Sequence, residues 1–263
     1  MKRVILQRVF LLCTAVLLLT SCLNETGNKE SGQVFGVIRF DMKKGANVLD
    51  VGEYQALYHI RFINDFDDDC YWVAYEIDYD APENSADNNI GDNCYVHTIN
   101  LLADPVKVEK WGIYPYLTDT TSVLTGEIAI KDPILDDMFN YVKGKAFMFC
   151  LLNMPKDQKM SFNLSYDMKN LTSEDSGYKY YNVYLRASIR REGEESKIDV
   201  GYINAFEMRS FLESAAYAEK ALGKTSFRLK FHYLSEIDSE GKMKWSTKDS
   251  FDIPTTLILP EEK

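Results

Sequence analysis

Short runs that alternate aromatic or β-branched residues with polar ones recur along this chain and confine it to a β architecture. Residues 34–40 read VFGVIRF, residues 54–62 YQALYHIRF and residues 71–79 YWVAYEIDY. A period of two sends successive side chains to opposite faces of a strand, one set into a core and the other toward solvent. Aromatic and β-branched residues suit such a pleated, half-buried surface. Further runs at 95–101, 106–113, 123–130, 146–153, 160–168, 178–190, 198–208 and 227–234 predict more strands. Residues 251–259 predict a closing edge strand interrupted by Pro254. Polar stretches such as MKKGAN, NDFDDD, KNLTSEDSG and REGEES separate the runs, and residues 81–93, crowded with Asn, Asp, Pro and Gly, predict a long irregular loop.

One segment breaks the pattern. Ser210 and Glu213 stand at capping-box spacing before FLESAAYAEKAL, and Gly223 follows where a C-terminal cap would stand, so residues 211–222 predict a helix. Residues 135–142 predict a short turn. Many short strands with one short helix indicate an all-β chain of sandwich or barrel type. The pattern resets near Lys131-Asp132-Pro133, which divides the strands into β domains over 34–130 and 131–263.

The first residues carry an address. Lys2, Arg3 and Arg8 precede an apolar run over 9–19 that is too short to span a bilayer and suits a signal peptide. That run closes on Leu19-Thr20-Ser21-Cys22, which resembles a bacterial lipobox. In proteins bearing the motif, cleavage precedes the cysteine, whose thiol is lipidated and whose amine is acylated. Residues 1–21 are then a lipoprotein signal peptide, and residues 22–33 are the lipidated Cys22 and a flexible polar tether. Several acyl chains give stable anchoring without a spanning helix. The expected partner is a membrane, reached through the lipid, and the expected location is the cell envelope, as an outer-membrane lipoprotein.

A lipobox, a polar tether, a small β domain and a β-sandwich in this order resemble the NigD-like lipoproteins of Bacteroides-type bacteria. The residues that carry the likeness are Asp132-Pro133-Ile134-Leu135-Asp136-Asp137 leading to AFMFCLLNM, then YYNVYLRASIRREGEES and NAFEMRSFL. The resemblance implies an OB-like or small-barrel first domain followed by an immunoglobulin-like β-sandwich. It lends no reaction, no catalytic residue and no cofactor.

The residues offer several candidate sites, each with a plainer alternative. Asp65, Asp67, Asp69 and Glu76 fall at positions 1, 3, 5 and 12 of a calcium-loop spacing. Cys70 stands where the loop needs glycine, and the alternative is a solvated acidic turn. Cys70 and Cys94 lead two aromatic-rich segments that, as neighbouring strands, would bring their sulfurs into a disulfide; free thiols are the alternative. Cys150, in KAFMFCLLNM, reads as a buried free thiol. In WGIYPYLTD, Pro115 interrupts a strand and leaves Trp111, Tyr114 and Tyr116 as rings able to stack on sugars, the alternative being core packing. Trp72, Tyr75 and Trp245 are further aromatics of the same kind. His59, His97 and His232 stand singly, at no metal-ligand spacing.

A net charge of −10 and a pI near 4.9 disfavour nucleic acid, whose phosphates require a basic surface. No nucleophile motif, zinc-protease motif or phosphate-cradling glycine loop is present in the sequence. The sequence therefore predicts a lipid-anchored, non-enzymatic binding or scaffolding protein with a glycan or protein partner. A surface glycan-binding lipoprotein using first-domain aromatics is one alternative, and a fimbrillin-type assembly subunit that exchanges edge strands is another.

Overall fold

In the computed structural model, the described residues are 28–52, 54–92, 94–117, 119–133, 140–155, 159–189, 197–250 and 252–259. The predicted signal peptide, Cys22, the start of the tether, residues 134–139 and the REGEES turn lie outside them.

The chain opens with β1 (Lys29–Asp41), β2 (Ala46–Gly52), β3 (Gln55–Tyr58), β4 (Cys70–Asp78) and β5 (Tyr95–Leu101). β1 pairs antiparallel with β2 and with β4, β2 with β3, and β4 with β5, while β3 runs parallel to β5. The order 1-2-3-5-4 thus returns to β1 and closes a five-stranded barrel, which leaves no free edge. Alternation fills it with Ile38, Leu49, Leu57, Val73, Ile77 and Ile99. The predicted strand over 54–62 ends early, at Tyr58. His59 Nδ1 accepts from the Arg61 backbone N–H at 3.1 Å, and a 3-10 turn over Ile60–Asn64 delivers Phe62 into the barrel.

The next strand, β6 (Val106–Tyr114), belongs to both halves. It pairs antiparallel with β4, then parallel with β14 (Lys197–Glu207), then parallel with β11 (Met160–Ser165). β7 (Glu127–Ile128) and β8 (Ile130–Asp132) pair with β13 (Tyr178–Ile189) and β10 (Lys145–Pro155). One sheet of the second half joins β8 and β9 (Asn140–Val142) to β10, β14 and β6. The other joins β6, β11, β12 (Thr172–Asp175), β13, β15 (Ser226–Ile237) and β16 (Met243–Asp249). Met148, Cys150, Leu152 and Phe206 of the first sheet meet Phe162, Leu164, Val183, Leu185, Leu229 and Phe231 of the second in one core. α1 (Arg209–Ala221) adds Phe211, Leu212, Ala215 and Ala216, spaced along one helical face.

Barrel and sandwich share a third apolar cluster. Phe35, Val37, Cys70 and Val108 pack against Val142, Phe147 and Ala205, with the Phe35 and Phe147 rings stacked at 5.0 Å.

Several expectations are corrected. The tether does not extend to residue 33: the ladder to β4 begins at Lys29, whose ammonium lies 3.0 Å from Glu76 and 3.5 Å from Asp78. The polar composition there marks an exposed strand end. The run at 123–130 is split, because Gly126 turns the chain at φ +70° and leaves β7 and β8 as short pieces. The capping box does not form. α1 starts at Arg209 behind Met208, which offers no side-chain cap, although Gly223 does take the positive φ expected beyond the helix end. The closing strand reduces to β17 (Ile253–Pro254), followed by the single-turn α2 (Thr255–Ile258), which buries Ile258 and Leu259 in the sandwich core. β2, β9, β12 and β16 form where the sequence carries no alternating run that predicts a strand.

Candidate functional site

OB-type barrels bind ligands on the outer face of strands 2 and 3, between the loops joining strands 1–2 and 4–5. In this barrel that face is closed. Val48, Ala56 and Val96 point outward yet are fully buried, with Tyr58 and Cys94 packed on them. The cover is the β4–β5 connection, which contains the irregular loop read from the sequence. Asn84 pins its start, donating to the carbonyls of Asp78 and Thr98 at 2.8 and 2.9 Å and accepting from Thr98 N–H at 2.7 Å. Its end is tied to the β1–β2 turn, where Asp41 accepts from Asp92 N–H at 2.9 Å and Asp92 accepts from Met42 N–H at 2.6 Å.

Beneath the loop, the Arg39 guanidinium donates to Asp50 at 2.8 Å, to Asp41 at 2.9 Å and to Cys94 Sγ at 2.9 Å. Burial alone would raise the Asp41 pKa, but the N–H groups of Lys44 and Asp92 and the Arg39 charge hold it below the usual carboxylate range. Burial pushes the Cys94 thiol up, against the pull of Arg39.

The open surface lies on the sandwich. Across the outer face of its second sheet, strand register lines up Tyr114, Ser165, Tyr184, His232 and Thr247 on β6, β11, β13, β15 and β16. Their sequence neighbours Ile113, Leu164, Val183 and Phe231 face the core, so alternation turns this row outward. Tyr184 and His232 stack at 4.5 Å with 13° between their planes, and Trp245 meets Tyr184 edge-on at 6.3 Å. His232 Nε2 donates to Asn182 Oδ1 at 3.0 Å, and Ser173 Oγ donates to the same oxygen at 2.9 Å. Burial keeps the His232 imidazole below its ordinary pKa, which makes it neutral at pH 7. Burial, with Asp167 nearby, raises the Tyr184 phenol. Ser165 Oγ and Asn163 Oδ1 are buried without a hydrogen-bond partner among the described residues.

The three aromatics singled out in the sequence do not form one platform. Trp111 is half-buried, donates to Asn204 Oδ1 at 3.0 Å and packs on Phe162. Tyr114 and Tyr116 are exposed and lie 5.7 Å apart at the edge of the outer row. Tyr75 is inside the barrel, and Trp72 packs on the cluster between barrel and sandwich.

The acidic residues at calcium-loop spacing are dispersed. Asp65 accepts from Tyr71 OH at 2.9 Å, Asp69 pairs with Lys107 at 2.7 Å, and Glu76 sits on β4 against Lys29. Among the described residues no three His, Cys, Asp or Glu side chains gather as metal ligands. Cys70 and Cys94 are free thiols and not a disulfide: Cys70 is buried between barrel and sandwich, whereas Cys94 lies over the outer barrel face. The two thiols lie in different apolar clusters, and burial pushes the Cys70 thiol up to about 12. Ser165, Tyr184 and Thr247 carry no local motif, and only the alternation of residues 178–190 hinted at which face Tyr184 occupies.

Comparison with known proteins bears on the fold. Residues 26–100 match the family model described as a lipoprotein OB domain. A search of curated proteins finds no match. An uncharacterized protein from Parabacteroides merdae is similar in structure at a TM-score of 0.68 and 17% identity, over 85% of this chain and 99% of that one. A protein of Bacteroides fragilis described as a lipoprotein follows at 0.56 and 13%, over 84% and 97%. Structural neighbours also include a NigD-like immunity protein from Bacteroides caccae at 0.45 and 12%, over 85% and 94%. The closed five-stranded barrel and the sequence match agree: the first described domain is an OB fold, similar over residues 26–100 to the lipoprotein OB domain.

Proposed function

We propose that this protein is an outer-membrane lipoprotein, held by a lipidated Cys22, that acts as a non-enzymatic binding or scaffolding component of the cell envelope. The observation that carries this reading is the closed barrel face. A barrel whose own loop buries Val48, Ala56 and Val96 serves as a base, and it leaves the outer sheet of the sandwich to meet a partner. The lipobox and the match of residues 26–100 to a lipoprotein OB domain support the anchor.

Fractionation of cells expressing the full chain tests the anchor. The wild-type protein should sediment with outer membrane and enter solution only with detergent, and Cys22→Ser should abolish this. A wild-type chain that is soluble without detergent, or a Cys22→Ser chain still processed and held in the membrane, would overturn the reading.

A further inference from the structure

We propose that the position between Tyr114 and Tyr184, where Ser165 Oγ and Asn163 Oδ1 are sealed from solvent, opens as a slot that is a subsite for a neutral saccharide ring. This rests on the reading of the outer sheet as the partner-facing surface and names the ligand class.

The spacing of strands sets the width. Tyr114 and Tyr184 stand in one register row on strands separated only by β11, so their backbones lie about 9–10 Å apart. A flat ring held between two others at contact distance needs about 7–8 Å. Ser165, the smallest side chain of the row, lies between them. Tyr184 packs one face on His232, which leaves the other toward Ser165. The Tyr114 ring tip lies over Gly112, 4.0 Å from where a side chain there would begin, and Tyr114 is 40% exposed, so its path outward is into solvent, and turning that way would uncover the fully buried Ser165.

The chemistry of the floor selects the ligand. Ser165 Oγ and Asn163 Oδ1 are buried and unpartnered, and an orphaned buried acceptor is costly until something donates to it. Hydroxyl groups on an apolar-faced ring supply donors and stacking surface together. An anion is disfavoured. The chain carries −10, Asp167 lies near Tyr184, and the neighbouring Arg186 is already committed to Glu127.

Affinity gel electrophoresis of the lipidated chain, extracted in detergent, tests the subsite against neutral β-glucan, α-glucan, xylan and mannan, with polygalacturonate as the acidic polymer. At least one neutral polymer should retard the protein, and polygalacturonate should not. Tyr114→Ala and Ser165→Val should each weaken the retardation tenfold or more with the melting transition retained. Tyr217→Ala, which removes an exposed ring from α1, should leave it unchanged. Tyr114 stands at the sheet edge, so its variant remains informative where Tyr184→Ala loses the fold. Retardation by no neutral polymer, by polygalacturonate alone, or undiminished in both slot variants overturns the proposal. A chain that fractionates as a lipoprotein yet binds no neutral polymer removes the subsite and leaves the anchor reading standing.

Discussion

Lys145 Nζ lies 2.6 Å from Asp68 Oδ1, and this contact ties the start of β10 in the sandwich to the β3–β4 connection of the barrel. The Lys145 side chain is almost wholly buried and also donates to Glu207, while Lys110 reaches Asp68 at 2.9 Å. Burial alone would raise the Asp68 pKa, but hydrogen bonds from Lys145 and Lys110 outweigh it and hold the carboxyl below its usual range. Burial likewise opposes the Lys145 charge, and Asp68 and Glu207 overcome it to raise that pKa. Together with the shared β6, the contact joins barrel to sandwich.

The full chain is therefore expected to unfold in urea as a single transition. Asp68→Asn should cost about 1–3 kcal/mol at pH 7, since it leaves a buried ammonium with one carboxylate fewer. A carboxyl lowered on folding stabilises above its unfolded pKa of about 4 and loses that contribution as pH falls through the folded value. The difference between wild type and Asp68→Asn should accordingly shrink below pH ~4. The raised Lys145 acts oppositely: its contribution is complete below about pH 10.4 and fades as pH rises through the folded value. Two separate unfolding transitions, or a difference that is constant from pH 7 to 3, would refute the coupling.

Thiol chemistry checks the barrel cover. Cys70, Cys94 and Cys150 are all free, the first and last buried. In denaturant without reductant, a mature chain blocked at Cys22 should take up three equivalents of iodoacetamide. In the folded protein Cys94 should react first. Gly91→Ala should speed it further, because an added Cβ would stand 2.3 Å from Val96, 2.8 Å from Asp41 and 3.0 Å from Cys94 Sγ, and the loop must lift. Uptake of one equivalent would mean that two thiols are bonded after all.

A fully buried ion pair fastens the loop beside the outer row. Arg186 donates through Nη2 to Glu127 at 2.6 Å and through Nε to the other oxygen of that carboxylate. It also holds the carbonyls of Asp119 and Ser122, with its plane over Trp245. Both partners are nearly fully buried, so Glu127→Gln or Arg186→Met should cost about 3–5 kcal/mol by stranding a charge. Arg186→Lys should rescue little, because an ammonium cannot fork onto a carboxylate and two carbonyls together. Urea midpoints of the three variants decide the matter, and a Lys variant matching wild type would show that charge alone suffices.

These contacts also explain what the sequence could and could not convey. Alternation is local, so β5 is found residue for residue at 95–101, and β4 and β13 to within a residue at either end. Pairing is not local. The barrel closes through the parallel match of Gln55–Tyr58 with residues 95–98, which no turn between neighbours announces. The outer row draws single residues from five strands between Tyr114 and Thr247, so periodicity tells the face of each residue but not its company. Trp111 misled for a related reason: its strand crosses from barrel to sandwich, and the ring that a strand break was expected to expose lies against Phe162. Local signals failed where tertiary contacts outbid them, as at the unused Ser210–Glu213 cap beside Met208, which is buried in the sandwich core.

The sheet behind the barrel contact contains one more testable dependence. Gly201 on β14 sits diagonally across from Phe149 on β10, and the ring lies so close over it that an added Cβ would stand 2.2 Å from the ring tip. Cross-strand diagonal neighbours are within reach of an aromatic side chain, and a ring covering a glycine shields its bare backbone. Gly201→Ala should therefore cost about 1–3 kcal/mol by pushing the ring off its seat. In a Phe149→Leu background the same change should cost little, since the obstructing ring tip is gone. A double-mutant cycle measured by urea unfolding reads the coupling directly. If Gly201→Ala costs the same in both backgrounds, its effect comes from the backbone of β14, and the ring contact contributes nothing.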